Sequence, residues 1–128
     1  MALQLHWREL GSKLLHRCTI FDLYRSQRAA EGGREGTFYL LKAKDWINVV
    51  PLVIDSRGRE CFLMVRQYRQ GAQRLTVEFP AGLVERGESP TRAAQRELLE
   101  ETGYRARRLV RIGTIFPNPA FMDNRCYT

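Results

Sequence analysis

Three glutamates lie close together in the stretch RELLEETG, residues 96–103, near the end of a predicted helix. Residues three and four apart are neighbours on a helix, so Glu97 lies beside both Glu100 and Glu101, and each like-charge pair costs roughly 0.2–0.5 kcal/mol. The helix dipole adds partial negative charge at the same end. The stretch is therefore either a solvated acidic face or a set of oxygen ligands for a divalent cation.

The helix that carries these carboxylates is predicted to run from Ser89 to Gly103. Ser89 can accept a capping hydrogen bond, Pro90 suits the first helical position, and Gly103 is a typical left-handed stop. Apolar residues recur at helical spacing, namely Ala93, Ala94 and Leu98. These residues supply the stripe that holds the helix against a core.

The chain is basic, with a net charge of +7 over 128 residues, a length that predicts one domain. Lys13, Lys42 and Lys44 are the only lysines, so the positive charge comes almost entirely from arginine, which binds phosphate through a planar fork. This charge favours an anionic partner such as a phosphate-bearing small molecule or a nucleic acid. Solubility or genome composition would also account for it.

The cysteines Cys18, Cys61 and Cys126 are odd in number, widely spaced and in no CxxC pattern. This distribution argues against both a disulfide framework and a thiolate metal site, and a reducing cytoplasm is the simplest location. The N-terminus MALQLHWREL lacks a signal-peptide core, and no segment approaches the roughly 18 apolar residues of a membrane span. We expect a soluble cytoplasmic protein that does not enter a membrane.

Strand-like runs precede the helix. Residues 14–24 and 37–42 flank the polar, glycine-containing stretch SQRAAEGGREG, which predicts a loop and hence an N-terminal hairpin. A second hairpin is predicted from NVVPLVI and CFLMVRQY joined by the turn sequence DSRG, with Pro51 at an edge or bulge. LTVEF predicts a further strand that ends before Pro80. After the helix, RRLVRIGTIF predicts a strand and PNPAFMDN a loop.

The acidic stretch is part of a longer spaced motif. Gly82 is followed after five residues by Glu88, and after seven more by the stretch that begins at Arg96. This pattern resembles the Nudix box, GX5EX7REUXEEXGU, in which U is a bulky apolar residue. The one departure is Tyr104 at the last U, where an aliphatic residue is more usual.

The resemblance implies an α+β fold, a Nudix-type α/β/α sandwich with a mixed sheet, over residues 45–128. Residues 1–44 would form an N-terminal β-hairpin region that serves as a dimerisation arm. The chain ends 24 residues after the box, so the domain is expected to lack its C-terminal part.

The resemblance also implies a site for Mg²⁺ or Mn²⁺. Its ligands would be Glu97, Glu100, Glu101 and the backbone carbonyl of Ala81, and oxygen-only donors suit these ions better than zinc. Arg96 would join the catalytic set by orienting the glutamates, although a plain surface pair with Glu100 would have similar geometry. Glu100 is the candidate base. In related hydrolases the base is often a glutamate on a later loop.

The stretch VRQYRQGAQRLTVEFPAGLVERGE resembles the branch of the family that cleaves ADP-ribose and nucleotide sugars. Pro119, sixteen residues beyond Gly103, lies near the position where that branch carries a diagnostic proline. In that branch Arg69 would contact the substrate phosphates and Glu78 would lie near the metal or the ribose. Trp46 is either a platform for stacking a nucleobase or a half-buried packing residue.

The function implied by the resemblance is metal-dependent hydrolysis of the pyrophosphate bond of ADP-ribose or a nucleotide sugar by a homodimer. The products would be a nucleoside monophosphate and a sugar phosphate. Two alternatives stay open: a Nudix-fold binding or assembly module of weak activity, and an RNA 5′-pyrophosphohydrolase. The sequence lacks RNA-type aromatic motifs, so a nucleic-acid substrate is the less expected one.

Overall fold

The computed structural model describes residues 6–128 and divides the chain into two compact units. The first unit comprises the described residues up to Lys44 together with Phe116–Asn124. The second comprises Asp45–Ile115 and Arg125–Thr128. All of the predicted site residues belong to the second unit.

The first unit contains an antiparallel sheet of three strands in chain order. The strands are β1 (Trp7–Arg17), β2 (Phe21–Ala30) and β3 (Glu35–Ala43). The loop predicted over residues 26–36 is therefore wrong for most of its length. Residues 26–30 continue β2, and residues 26–29 pair with β3. The turn is confined to residues 31–34, where Gly32 and Gly33 adopt positive φ angles of 90° and 81°.

The second unit contains eight short strands and one helix among the described residues. The strands are β4 (Trp46–Asn48), β5 (Leu52–Ile54), β6 (Glu60–Phe62), β7 (Val65–Arg69), β8 (Arg74–Glu78), β9 (Ala81–Leu83), β10 (Thr114–Ile115) and β11 (Cys126–Tyr127). Four of them form a sheet in the order β10-β11-β4-β9, in which only the β11–β4 pair is parallel. The sheet is therefore mixed, as predicted.

Two antiparallel hairpins, β5–β6 and β7–β8, complete the strands of this unit. The predicted turn at DSRG is confirmed, because the Asp55 carboxylate accepts hydrogen bonds from the amides of Arg57 and Arg59. Pro51 lies outside both neighbouring strands, and its carbonyl accepts from the Leu63 amide. The strand predicted over residues 107–116 is wrong except at β10, because residues 107–113 lie outside any strand. Ile112 and Gly113, which lead into β10, form backbone hydrogen bonds with Thr128.

The predicted helix is confirmed as α1 (Pro90–Thr102). The Ser89 side chain accepts from the Arg92 amide at 3.3 Å and so caps the first turn. Gly103 has φ 75°, and its amide donates to the Leu99 carbonyl at 2.8 Å. This left-handed ending is one that glycine adopts without strain.

The core of the second unit lies between α1 and β4. Four residues form its buried centre: Ile47, Val49, Ala93 and Leu98. Because Ala93 and Leu98 face this core, the carboxylates of α1 project from the rest of the helix surface. Within the described chain, no helix has both the length and the apolar character needed to cross a membrane.

Candidate active site

Arg96 is the centre of a network of hydrogen bonds on α1. Its Nε and Nη2 donate to the two carboxylate oxygens of Glu88 at 3.0 and 2.9 Å, and Nη2 also donates to the Leu83 carbonyl at 2.9 Å. Its Nη1 donates to Glu97 at 2.6 Å and to Glu100 at 3.3 Å. One guanidinium therefore contacts three carboxylates, which reduces their mutual repulsion.

The same network keeps its members ionised. The Arg96 guanidinium, followed by the Glu85 amide, lowers the pKa of Glu88 to about 2. In return, hydrogen bonds to Glu88 and then Glu97 raise the pKa of Arg96 above its already high ordinary value. The Glu88 carboxylate and the Arg96 cation are consequently both charged at neutral pH.

The Glu97 carboxylate rests against the backbone of Gly82 in β9. A Cβ atom added at residue 82 would lie 2.0 Å from Glu97 Cδ and 2.1 Å from its Oε1. A side chain at this position would therefore force the Glu97 carboxylate to move, whereas glycine leaves room for it. The first glycine of the motif is therefore needed where β9 and α1 approach each other.

Glu101 is held by the strand rather than by Arg96. Its Oε2 accepts a hydrogen bond from the Ala81 amide at 3.1 Å. This bond joins residues that are 20 positions apart and brings the backbone of residue 81 beside the last turn of α1. Ala81, Gly82 and the helix glutamates thus lie together, as the motif predicts.

The donors gathered here are all oxygens, which is the ligand chemistry that Mg²⁺ and Mn²⁺ prefer. Among the described residues, no group of three or more histidine, cysteine, aspartate or glutamate side chains is arranged to hold a metal ion. In this conformation Arg96 engages Glu97 and Glu100, while the Ala81 amide engages Glu101. The donor chemistry fits a hard cation, and the 58% exposed Glu100 side chain has room to reorient towards one.

Arg69 and Glu78 form a second charged pair, on the β7–β8 hairpin. Arg69 Nε lies 2.9 and 3.1 Å from the two Glu78 oxygens, and Nη2 lies 2.6 Å from Oε2. This pairing, followed by a bond from Thr76, lowers the pKa of Glu78 to about 2. The pKa of Arg69 is raised, mainly by Glu78 and in smaller part by the charge of Glu101. The pair therefore lies within electrostatic reach of the helix carboxylates.

Arg69 and Glu78 were predicted as separate site residues, and only the structure shows that they bind each other. Thr76, whose hydroxyl lies 2.5 Å from a Glu78 oxygen, was not predicted from the sequence. The period-two alternation of β8, which places Thr76 and Glu78 on one face, was the available signal. The Leu83 carbonyl, which accepts from Arg96, carried no sequence signal because any residue supplies a carbonyl.

Trp46 lies in β4, half-buried, opposite Leu83 of β9 and Cys126 of β11. Its amide donates to the Arg125 carbonyl at 2.7 Å. The structure therefore places the backbone of Trp46 inside the mixed sheet. Its use as a stacking platform stays a prediction.

Residues 45–127 match the family model described as the NUDIX domain. This chain belongs to the Nudix family. It is 36% identical over 104 residues to an ADP-ribose pyrophosphatase of Bacillus subtilis (strain 168), a match that covers 81% of this chain and 54% of the relative. It is 45% identical over 64 residues to an ADP-sugar pyrophosphatase of Mus musculus, covering 50% and 29%. The predicted family and branch are thus confirmed.

A structural comparison supports the fold of this Nudix chain. A solved structure titled as an ADP compounds hydrolase matches with a TM-score of 0.83 at 21% identity, covering 99% of this chain and 67% of the other. The predicted α+β Nudix fold with a mixed sheet is confirmed. The chain spans about half the length of the Bacillus subtilis relative and less than a third of the mouse one.

Proposed function

We propose that this Nudix chain hydrolyses the pyrophosphate bond of ADP-ribose or of a nucleotide sugar, which gives a nucleoside monophosphate and a sugar phosphate. The observation that carries the proposal is the Arg96 network, which gathers Glu88, Glu97 and Glu100 beside β9. The names of the Bacillus subtilis and mouse relatives, an ADP-ribose and an ADP-sugar pyrophosphatase, support this substrate class.

A divalent ion, Mg²⁺ or Mn²⁺, is the proposed cofactor. Glu97, Glu100, Glu101 and the backbone carbonyl of Ala81 would hold it. When bound, such an ion neutralises phosphate charge and makes a coordinated water more acidic. It would also offset the repulsion among carboxylates on neighbouring turns of α1, which Arg96 offsets only in part.

The chain's own side chains then have distinct roles. Arg69 binds phosphate oxygens, for which it exchanges part of its pairing with Glu78, and its 46% exposed side chain is open to substrate. Arg96 keeps the glutamates oriented. Glu100 takes a proton from the attacking water, whose oxygen bonds to one phosphorus while the bond from that phosphorus to the bridging oxygen breaks. Trp46 is the proposed platform for the nucleobase.

The proposal extends to the assembly and the location of the protein. We assign residues 45–128 to the catalytic domain and residues 1–44 to a dimerisation region of a homodimer. A reducing cytoplasm agrees with the three cysteines, which are free thiols in the structure.

The test is hydrolysis of ADP-ribose, ADP-glucose and GDP-mannose, each with Mg²⁺ and with the metal chelated. We expect turnover with Mg²⁺ only. Glu101→Gln should lower the rate by at least about a hundredfold with an unchanged melting temperature, because it removes a carboxylate charge from the proposed metal site. Glu31→Gln, in the exposed turn between β2 and β3, is the matched control.

Two outcomes would contradict the proposed reaction, and a third would contradict the metal site. Absence of turnover on all three compounds, with retained nucleotide binding, would indicate a binding or assembly module. Release of pyrophosphate from 5′-triphosphorylated RNA, without cleavage of the three sugar nucleotides, would indicate an RNA pyrophosphohydrolase. A near-normal rate for Glu101→Gln at saturating Mg²⁺ would show that the metal assignment is wrong.

A further inference from the structure

The two faces of the β1–β2–β3 sheet differ in how their charged side chains are partnered. Side chains alternate between faces along a strand, so Asp22, Ser26 and Arg28 of β2 project to one side and Arg25 and Gln27 to the other. The bond from the Thr37 hydroxyl to Gln27 at 3.0 Å places those two side chains on the same face. The strand register therefore assigns each charged residue to a face.

On the Asp22 face, the charged side chains have partners. Arg28 lies 3.6 Å from Glu9, which also accepts from Ser26 at 2.9 Å. The remaining contacts on this face are Arg17 with Asp22 at 3.5 Å and the ammonium of Lys42 at 4.4 Å from the centre of the Tyr24 ring. Each of these charged side chains therefore has a partner on its own face.

On the opposite face, Lys13, Arg25 and Tyr39 form one row across the three strands. The register pairs Lys13 with Arg25 and Arg25 with Tyr39. All three are exposed, and 58% of Tyr39 is accessible to solvent. Two cations directly opposite each other on neighbouring strands repel and destabilise the pairing.

No described acidic residue forms an ion pair with Lys13 or Arg25. The flanking positions on this face carry no carboxylate, with Gln27 and Thr37 on one side and His16 on the other. The acid on this face, Glu35, lies at the far end of the sheet opposite Ala29. The repulsion within the row is therefore left without a compensating anion from the described chain.

We propose that the Lys13–Arg25–Tyr39 row binds single-stranded nucleic acid. Neighbouring strands lie about 5 Å apart, so the row presents two adjacent cations for backbone phosphates and a ring for a base beside them. Stacking on an exposed aromatic residue requires a base whose face is free, as in a single strand. An acidic peptide would bind the two cations without using the Tyr39 ring. The ring therefore favours a nucleic acid over an acidic peptide. The row belongs to the first unit and contains none of the proposed catalytic residues.

The test is fluorescence anisotropy of a labelled oligothymidine of about twelve nucleotides with the full chain. Each phosphate contact contributes about 0.7 to the slope of log affinity against log salt for a single strand. We expect Arg25→Glu to weaken binding by about tenfold and to lower that slope by about 0.7 or more. Arg17→Glu is the matched control, because it makes the same charge change on the opposite face. It should weaken binding less than Arg25→Glu does.

A second pair of variants tests the base contact. Tyr39→Ala should weaken binding about tenfold, whereas Tyr39→Phe, which keeps the ring, should bind like the wild type. Circular dichroism verifies that each exposed substitution leaves the fold intact. Equal losses in Arg17→Glu and Arg25→Glu would overturn the proposal, as would equal binding of duplex DNA or of a polyglutamate peptide, or unchanged binding by Tyr39→Ala.

Discussion

Gly82→Ala tests the close approach of β9 and α1. The added methyl group would lie 2.0 Å from Glu97 Cδ, whereas carbon atoms in favourable contact are about 3.5–4.0 Å apart. The carboxylate must therefore retreat by about 1.5 Å, because it is the end of a flexible side chain and the strand backbone is not. The substitution should displace Glu97 without preventing folding.

The expected loss of stability follows from the bond that Glu97 then gives up. Its bond to Arg96 is 2.6 Å long, and the two side chains are only 14% and 31% exposed. Hydrogen bonds to charged groups contribute about 1.5–3 kcal/mol, and partial exposure reduces this value. We expect the free energy of unfolding to fall by about 1–2 kcal/mol and kcat/KM for ADP-ribose to fall by about a hundredfold, since a misplacement near 1 Å has that effect in active sites.

Urea unfolding and steady-state hydrolysis measure the two effects. Gly113→Ala is the control, because a Cβ at residue 113 meets no atom within 4 Å. In a Glu97→Ala background, the stability cost of Gly82→Ala should largely disappear, since the clashing carboxylate is gone. If Gly82→Ala matches Gly113→Ala in both measurements, or if its stability cost persists in the Glu97→Ala background, the steric reasoning is refuted.

Three further predictions concern pH, substrate binding and helix capping. Because the pKa of Glu88 is lowered to about 2, its ionised form stabilises the fold above its ordinary pKa of 4.5, and this contribution is lost as pH falls from 4.5 to about 2. Thermal unfolding of Glu88→Gln should therefore depend less on pH in that interval. Arg69→Ala should raise KM for ADP-ribose more than it lowers kcat. A larger effect on kcat would contradict the proposed role of Arg69 in binding the substrate phosphates. Ser89→Ala should lower the free energy of unfolding by about 1 kcal/mol in urea titrations, since the Arg92 amide loses its acceptor, and an unchanged midpoint would exclude the cap.

Arg96 illustrates how much of the site could be predicted. Its position in the motif identified it as a partner of the helix glutamates, and the four-residue spacing pointed to Glu100. In the structure its shorter bonds go to Glu88, Glu97 and the Leu83 carbonyl. Glu88 and Leu83 precede the helix in the chain, so the bonds from Arg96 to these two residues depend on how residues 83–88 fold back on α1.

The N-terminal sheet shows the same limit for the fold. Residues 26–30 contain polar side chains and precede two glycines, which is the composition of a loop. They form a strand because β1 and β3 pair with them on both sides. Strand formation there depends on partners that the local composition does not reveal.

The sequence by itself determined the family, through the spacing from Gly82 to Gly103, and the ends of α1, through Ser89 and Gly103. Caps and motif spacings act over a few neighbouring residues, so the local chain encodes them. Only the tertiary structure decided that Arg69 binds Glu78 and that Gly82 accommodates the Glu97 carboxylate. Those contacts join residues that are distant in the chain, and folding alone brings them together.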